Sequence, residues 1–149
     1  MIGAIIGDVV GSTREFNDLR RIPKLKKDFT LVPRNSFFTD DTVLTVALMD
    51  WALHAEKRDS KSVTHYLQKW ARKYPNSGFG GRFVSNWLWK DNPEPYYSFG
   101  NGSAMRISPI AYIAKTKEEL IELSDFVTGV THNHPEGLLG AEVTAMCIY

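Results

Sequence analysis

Apolar residues in this chain recur at spacings of three and four, and no run alternates apolar with polar residues for long enough to build a sheet. Such a pattern demands helices that bury one-sided stripes against each other. From Asp41 to Arg58, Leu44, Ala47, Leu48, Trp51, Ala52 and Ala55 form one stripe. Thr39 or Asp40 is placed to cap this helix, and acids in its first turn suit the positive end of the helix dipole. A second helix is expected from about Ser62 to Tyr74, with Val63, Tyr66, Leu67, Trp70, Ala71 and Tyr74 on one face and Pro75 as its stop. Gly78, Gly80 and Gly81 mark a turn before a short apolar segment at Phe83–Trp89. The prolines and glycines of Asp91–Gly102 read as a loop. Helical pattern returns at Lys117–Val127 and again after His134, where Pro135 suits the first helical position. The expected fold class is all-α.

Gly3, Gly7 and Gly11 recur every four residues among Ile and Val, so one face of an N-terminal helix carries no side chains. A neighbouring helix is expected to approach that face closely. The same spacing signals membrane dimerisation only inside a long apolar segment. Asp8 interrupts the opening apolar stretch and Asp50 breaks Val43–Leu53, both far short of the about 20 apolar residues that a spanning helix needs. No basic residues precede the opening stretch and no cleavage site follows it, which argues against a secretory signal. The single cysteine, Cys147, cannot make an internal disulfide, so a soluble, cytoplasmic chain with no membrane partner is expected.

Eighteen Lys and Arg balance 17 Asp and Glu for a net charge of +1, which argues against nucleic-acid binding through phosphate contacts. The basic group Arg20, Arg21, Lys24, Lys26 and Lys27 is read as a solvated loop. A length of 149 residues with 43% hydrophobic content fits one domain over 1–149. Val143, Met146, Ile148 and Tyr149 form an unfinished amphipathic turn at the end. Either that helix docks fully or part of the domain lies elsewhere.

Four segments carry groups with chemistry. In Thr39-Asp40-Asp41-Thr42, side chains at a helix start diverge by about 100° per residue. Asp40 and Asp41 can therefore reach two different ions, or one ion and its water, and an all-oxygen set points to Mg²⁺ or Mn²⁺ over Zn²⁺. The alternative is an acid-rich helix cap. In Gly7-Asp8-Val9-Val10-Gly11-Ser12-Thr13-Arg14-Glu15, the Gly-Ser pair can end a helix and turn Glu15 into a cleft, or leave it exposed. Ser98-Phe99-Gly100-Asn101-Gly102-Ser103-Ala104-Met105-Arg106 offers glycine-flanked N–H groups as an anion nest, with Phe99 as a stacking face and Arg106 as a buttress. An ordinary glycine turn is the competing reading. It is neither a Walker loop nor a dinucleotide fingerprint. In Thr131-His132-Asn133-His134-Pro135-Glu136-Gly137, two histidines one residue apart point different ways, so one is expected to line a pocket and the other to cap a helix.

Together, in this order, the stretches IGAIIGDVVGSTREF, FFTDDTVLTVA, SFGNGSAMRISPIA and THNHPEGLLGAEVTA resemble the ADP-ribosylglycohydrolase family, which includes dinitrogenase reductase-activating glycohydrolases and the ADP-ribosylarginine and ADP-ribosylserine hydrolases. The resemblance implies a compact orthogonal helix bundle with a pair of Mg²⁺ (or Mn²⁺) ions in a cleft. It implies that Thr39, Asp40, Asp41 and Glu15 are metal ligands, with Glu15, Asp40 and Asp41 also acting on the attacking water. It assigns Ser98, Gly100, Asn101, Gly102 and Ser103 to the diphosphate and distal ribose of ADP-ribose, Phe99 to the adenine, and His132 to the pocket wall. The implied activity is removal of ADP-ribose from a modified protein side chain or a small adduct, by water attack at the anomeric carbon. Carboxylates stabilise the oxocarbenium-like state of such a reaction, and metal ions lower the pKa of bound water.

The sequence departs from the family in one respect. Family members are longer and carry a second acidic motif, Asp-x-Asp-Thr, on a late helix, and no such motif follows Asp41 here. The chain therefore reads as an N-terminal half, and its metal site as incomplete. Self-association or a complementing C-terminal half is the expected remedy. A non-catalytic module that binds ADP-ribose, or a helical interaction module, is the alternative.

Overall fold

The computed structural model describes residues 1–15 and 30–149. The helices are α1 (Ile2–Gly11), α2 (Asp40–His54), α3 (Ser60–Lys73), α4 (Gly81–Phe83), α5 (Ser108–Ile113), α6 (Lys117–Gly129) and α7 (Pro135–Ile148). A π turn at Val84–Leu88 extends α4, and a 3₁₀ turn at Ala104–Arg106 leads into α5. Among the described residues there is no strand, so the architecture is all-α as expected. The basic group at 20–27 lies outside the described residues.

Helix α2 is the spine of the bundle. It packs along α3 and also meets α1, α5 and the 3₁₀ turn, while α6 packs on α7. Its stripe of Leu44, Ala47, Leu48 and Trp51 is buried together with Val63, Leu67 and Ala71 of α3 and Leu120 and Val127 of α6. Two tryptophans are buried whole, and each finds a partner for its single donor. Trp51 Nε1 donates to Ser62 Oγ at 2.9 Å, and Trp87 Nε1 donates to the Val130 carbonyl at 2.8 Å. Truncating a ring of this size in a core costs about 3–5 kcal/mol.

The π turn explains two polar residues of α3. Wider turns leave carbonyls without their usual helical donors. Gln68 Nε2 donates to the Trp87 and Lys90 carbonyls at 3.2 and 2.9 Å, and Arg72 Nε donates to the Leu88 carbonyl at 3.0 Å.

Three boundaries differ from the sequence reading. Helix α2 stops at His54 and not at Arg58, because Ala55 turns to extended backbone, and Asp59 then caps the next helix. The Asp59 carboxylate accepts from the Ser62 N–H at 2.8 Å, and the Ser62 hydroxyl accepts from the Asp59 N–H at 3.3 Å, a reciprocal cap that starts α3 at Ser60. Helix α6 runs on to Gly129.

The expected close packing of the glycine face is not found. A Cβ added at Gly3, Gly7 or Gly11 meets nothing within 4 Å among the described residues. Helix α1 is tied to the bundle at both ends: the Met1 amino group donates to the Tyr112 hydroxyl at 3.1 Å, and Asp8 and Ser12 reach the segment before α2. On α7 one face is buried through Ala141 and Ala145, whereas Leu139, Val143 and Met146 are exposed on the other.

Candidate functional site

The start of α2 is held by a carboxylate from another helix. Thr39 is its N-cap, and its Oγ1 accepts from the Asp41 N–H at 3.3 Å. That hydroxyl donates to Asp8 Oδ1 at 2.7 Å, while the Thr39 N–H donates to Asp8 Oδ2 at 2.8 Å. The Thr42 N–H donates to Asp8 Oδ2 at 3.1 Å, and the Thr42 hydroxyl donates to the same oxygen. One carboxylate therefore satisfies two of the orphan N–H groups of the helix start and accepts two hydroxyls, at the positive end of the dipole. Ser12 adds a second tie, its Oγ accepting from the Phe37 N–H at 3.1 Å. Asp8 had no assigned role in the sequence reading. Its signal was an acid one turn ahead of the Gly-Ser pair, but nothing local names its partner.

Asp8 fixes where the next acids stand. The Asp40 N–H donates to the Ser77 carbonyl at 2.7 Å, and the Asp41 carbonyl accepts from Thr45 Oγ1 at 2.6 Å. Burial pushes the Asp40 carboxyl up to about 6, and the negative charge of Asp41 adds to the rise. Asp41 is raised by burial and by Asp8. Glu15 is raised by burial, then by Asp41 and Asp8. The acids of the first two motifs thus share one patch and repel each other across it.

The glycine-rich segment lies opposite. Tyr97 adopts φ 52°, and its N–H donates to Asn133 Oδ1 at 2.8 Å, which turns the chain into the loop. Ser98 Oγ accepts from the Gly100 N–H at 3.3 Å, and the buried Ser103 hydroxyl donates to the Gly137 carbonyl at 3.0 Å. Two glycines are dictated by proximity. A Cβ on Gly137 would stand 2.7 Å from the Ser98 carbonyl oxygen, and one on Gly102 would stand 3.1 Å from His132 Cε1 and Nε2.

The histidine pair divides its work. His134 Nδ1 accepts from the Glu136 N–H at 3.1 Å and caps α7. His132 is only 4% exposed, and its Nδ1 lies 2.7 Å from Thr131 Oγ1. Burial, with the nearby Arg106 cation, lowers its pKa to about 3, so the ring is neutral. Arg106 is 1% exposed, donates from Nη2 to Thr131 Oγ1 at 2.8 Å, and is pulled down to about 10 by burial. Its Nε and Nη1 have no partner among the described residues.

These pieces meet in one cavity of about 300 Å³, lined among others by Asp40, Ser98, Asn101, Gly102, Arg106 and His132. Gly100 lines it too. Phe99 stands 70% exposed outside it, its ring 5.4 Å from that of His134. Ser103 and Thr39 are buried behind the walls. Asp41 and Glu15 do not line it, and connect to Asp40 through their charges. A larger cavity, about 570 Å³, lies elsewhere, between α3 and residues 91–95, and contains none of the four motifs' acids or histidines.

Metal ligation by this set is only partly supported. Among the described residues no three His, Cys, Asp or Glu side chains stand close enough to hold one ion. The Asp8 carboxylate is committed to the helix start, and the Thr39 hydroxyl is committed to Asp8. Acids that repel each other in one patch are the raw material of a cation site, but the described residues do not make a complete one. No described helix is long and apolar enough to cross a membrane.

The structure is thus a helical bundle that sets a glycine-rich loop and a buried histidine across a cavity from Asp40 at a helix start. The chain belongs to the ADP-ribosylglycohydrolase family, whose sequence profile matches residues 1–149. It is 27% identical to ADP-ribosylhydrolase ARH3 of Homo sapiens, a match that covers 100% of this chain and 48% of that protein. It is 25% identical to ARH3 of Mus musculus over 100% of this chain and 47% of the relative. It is 29% identical to ADP-ribosylarginine hydrolase Tri1 of Pseudomonas putida over 93% of this chain and 42% of that protein. The chain spans about half the length of the curated relatives it matches.

Proposed function

We propose that this chain is the ADP-ribose-holding part of a hydrolase that removes ADP-ribose from a modified protein side chain or a small adduct. The observation that carries this reading is the shared cavity, where Asp40 faces the glycine-rich loop and His132 across about 300 Å³. That volume lies at the lower end of small-molecule sites. The loop of Ser98, Gly100, Asn101, Gly102 and Ser103 cradles the diphosphate and distal ribose with backbone N–H groups, and exposed Phe99 offers the adenine a face. Asp40, with Asp41 and Glu15 behind it, presents negative charge to the oxocarbenium-like state at the anomeric carbon. A carboxylate whose pKa is raised towards 6 takes a proton from water more readily than an ordinary one.

The family resemblance calls for Mg²⁺ or Mn²⁺ held by Thr39, Asp40, Asp41 and Glu15. The described acids alone do not complete such a site, so no step of the proposed chemistry runs through a metal. The missing ligands are assigned to a complementing C-terminal half, in keeping with the share of the relatives that this chain covers. Self-association is the other source. Release of free ADP-ribose from an ADP-ribosylated arginine protein tests the reading, with Mg²⁺ and with chelator, for the chain alone and with a complementing half. Release that is lost in Asp40→Asn and Asp41→Asn supports it, and release that both variants leave unchanged overturns it.

A second reading rests on the same incomplete acid set: a module that binds ADP-ribose without cleaving it. Calorimetry separates the two. Binding without release under every metal condition favours the module, and no binding at millimolar ADP-ribose sinks it.

A further inference from the structure

We infer that Arg106 and Thr131 are positioning residues that hold His132 in its Nε2–H tautomer, so that the cavity wall presents a hydrogen-bond donor beside Gly102 to a ligand oxygen. The inference deepens the proposed function only in naming what the donor meets, an oxygen of ADP-ribose. The relay itself is a property of the unliganded chain.

Thr131 Oγ1 is the hinge of the argument. It lies 2.7 Å from His132 Nδ1, 2.8 Å from Arg106 Nη2 and 3.3 Å from the Thr128 carbonyl. The guanidinium can only donate, so it occupies a lone pair of the hydroxyl and the hydroxyl must give its single proton elsewhere. Two acceptors compete, the imidazole nitrogen and the Thr128 carbonyl. The imidazole is the nearer of the two, at 2.7 Å against 3.3 Å. A hydroxyl polarised by a cation on its oxygen is a better donor and a poorer acceptor. The buried positive charge of Arg106 also favours a lone pair, not an N–H, on the Nδ1 side of the ring. Each argument puts the proton on Nε2.

The Nε2 edge is the useful one. A Cβ on Gly102 would lie 3.1 Å from both Nε2 and Cε1, so this edge faces the glycine loop, and Gly102 and His132 both line the cavity. Tyr96 is a further titratable neighbour, whose ring centroid lies 5.9 Å from that of His132 and whose own ionisation is pushed upward by burial, and Asp40 and Arg82 line the same cavity. A neutral ring with a fixed Nε2–H meets an oxygen acceptor without reorientation, and discriminates against a ligand that offers a donor there.

Long-range ¹H–¹⁵N correlation of the imidazole in ¹⁵N-labelled protein at pH 7 reads the tautomer directly. The expected result is a lone-pair-bearing Nδ1 and a protonated Nε2 in the wild type and in Thr131→Ser, with a mixed or reversed tautomer in Thr131→Val. ADP-ribose affinity should fall about tenfold in Thr131→Val and stay near wild type in Thr131→Ser. A protonated Nδ1 in the wild type, or an unchanged tautomer in a folded Thr131→Val, overturns the relay. A wild-type chain with the expected tautomer that binds no ADP-ribose upholds the relay and rejects the cavity's proposed ligand.

Discussion

The carboxylate of Asp8 grips Thr39 twice, accepting from its N–H at 2.8 Å and from its hydroxyl at 2.7 Å, across 31 residues of sequence. This pair joins α1 to the start of α2 and sets the direction in which Asp40 leaves the helix. Thr39 itself is buried and already shares its oxygen with the Asp41 N–H. An acid that satisfies a helix start in this way is structural in its contacts, and the candidate site acids Asp40 and Asp41 directly follow the Thr39 that it holds.

Asp8→Asn should therefore lower stability and disturb the site together. Asparagine keeps one acceptor oxygen and places donor hydrogens against the Thr39 or Thr42 donors, leaving partly buried groups unmatched. The expected loss is about 2–4 kcal/mol. Urea unfolding monitored by tryptophan fluorescence measures it. A loss below about 0.5 kcal/mol would show that the four contacts to Asp8 do not hold the helix start.

Asp40 should make stability depend on pH in an unusual direction. Its folded pKa lies near 6, above the ordinary 3.8, so the folded chain holds more protons than the unfolded chain between those values. Stability then falls as pH rises through that window, and the cost is fully present above about 6. Asp40→Asn removes the burial cost and the repulsion from Asp41, so it should stabilise the chain at pH 7 by about 1 kcal/mol after allowance for partial exposure. Melting temperatures of the two proteins at pH 4 and pH 7 test this. Equal responses of the two proteins to pH would remove Asp40 as the source. On the proposed function, the same substitution is also expected to abolish release of ADP-ribose, a trade of stability for function.

Much of this was legible in the sequence because it is local. The stripe of Leu44, Ala47, Leu48 and Trp51 declares its buried face by period alone, and Pro135 after His134 marks the start of α7. What escaped depends on partners far along the chain. The role of Asp8 needs Thr39 and Thr42, and Gln68 reads as an ordinary polar position until the π turn brings it the Trp87 and Lys90 carbonyls. The glycine face of α1 misled for the same reason, since spacing shows that a helix can be approached closely but not that one arrives. The cap at Asp59 and Ser62, by contrast, is local in the sequence and sets the true start of α3 at Ser60.

Phe99 separates binding from folding. It is 70% exposed and belongs to no part of the buried core. Phe99→Ala should leave stability within about 0.5 kcal/mol of wild type, yet weaken ADP-ribose by about 1–3 kcal/mol if the ring stacks on the base. Calorimetry with ADP-ribose and with ribose 5-phosphate, which lacks the base, tests the assignment. Equal losses for both ligands, or none for either, would remove Phe99 from the adenine contact.

Gly137 gives the sharpest steric test of the loop. It lies on α7, outside the glycine-rich segment, yet its missing side chain lets the Ser98 carbonyl pass, where a Cβ would stand 2.7 Å from that oxygen and 3.3 Å from His132 Cβ. The obstacle is backbone, so the loop itself must move. Gly137→Ala is expected to cost about 1–3 kcal/mol by overpacking, and to weaken ADP-ribose on the order of tenfold as the loop withdraws from the cavity. Gly140→Ala, on the same helix with nothing within 4 Å of its added Cβ, is the control and should leave affinity unchanged. If the two variants bind ADP-ribose alike, the close approach of Ser98 to α7 does not shape the site.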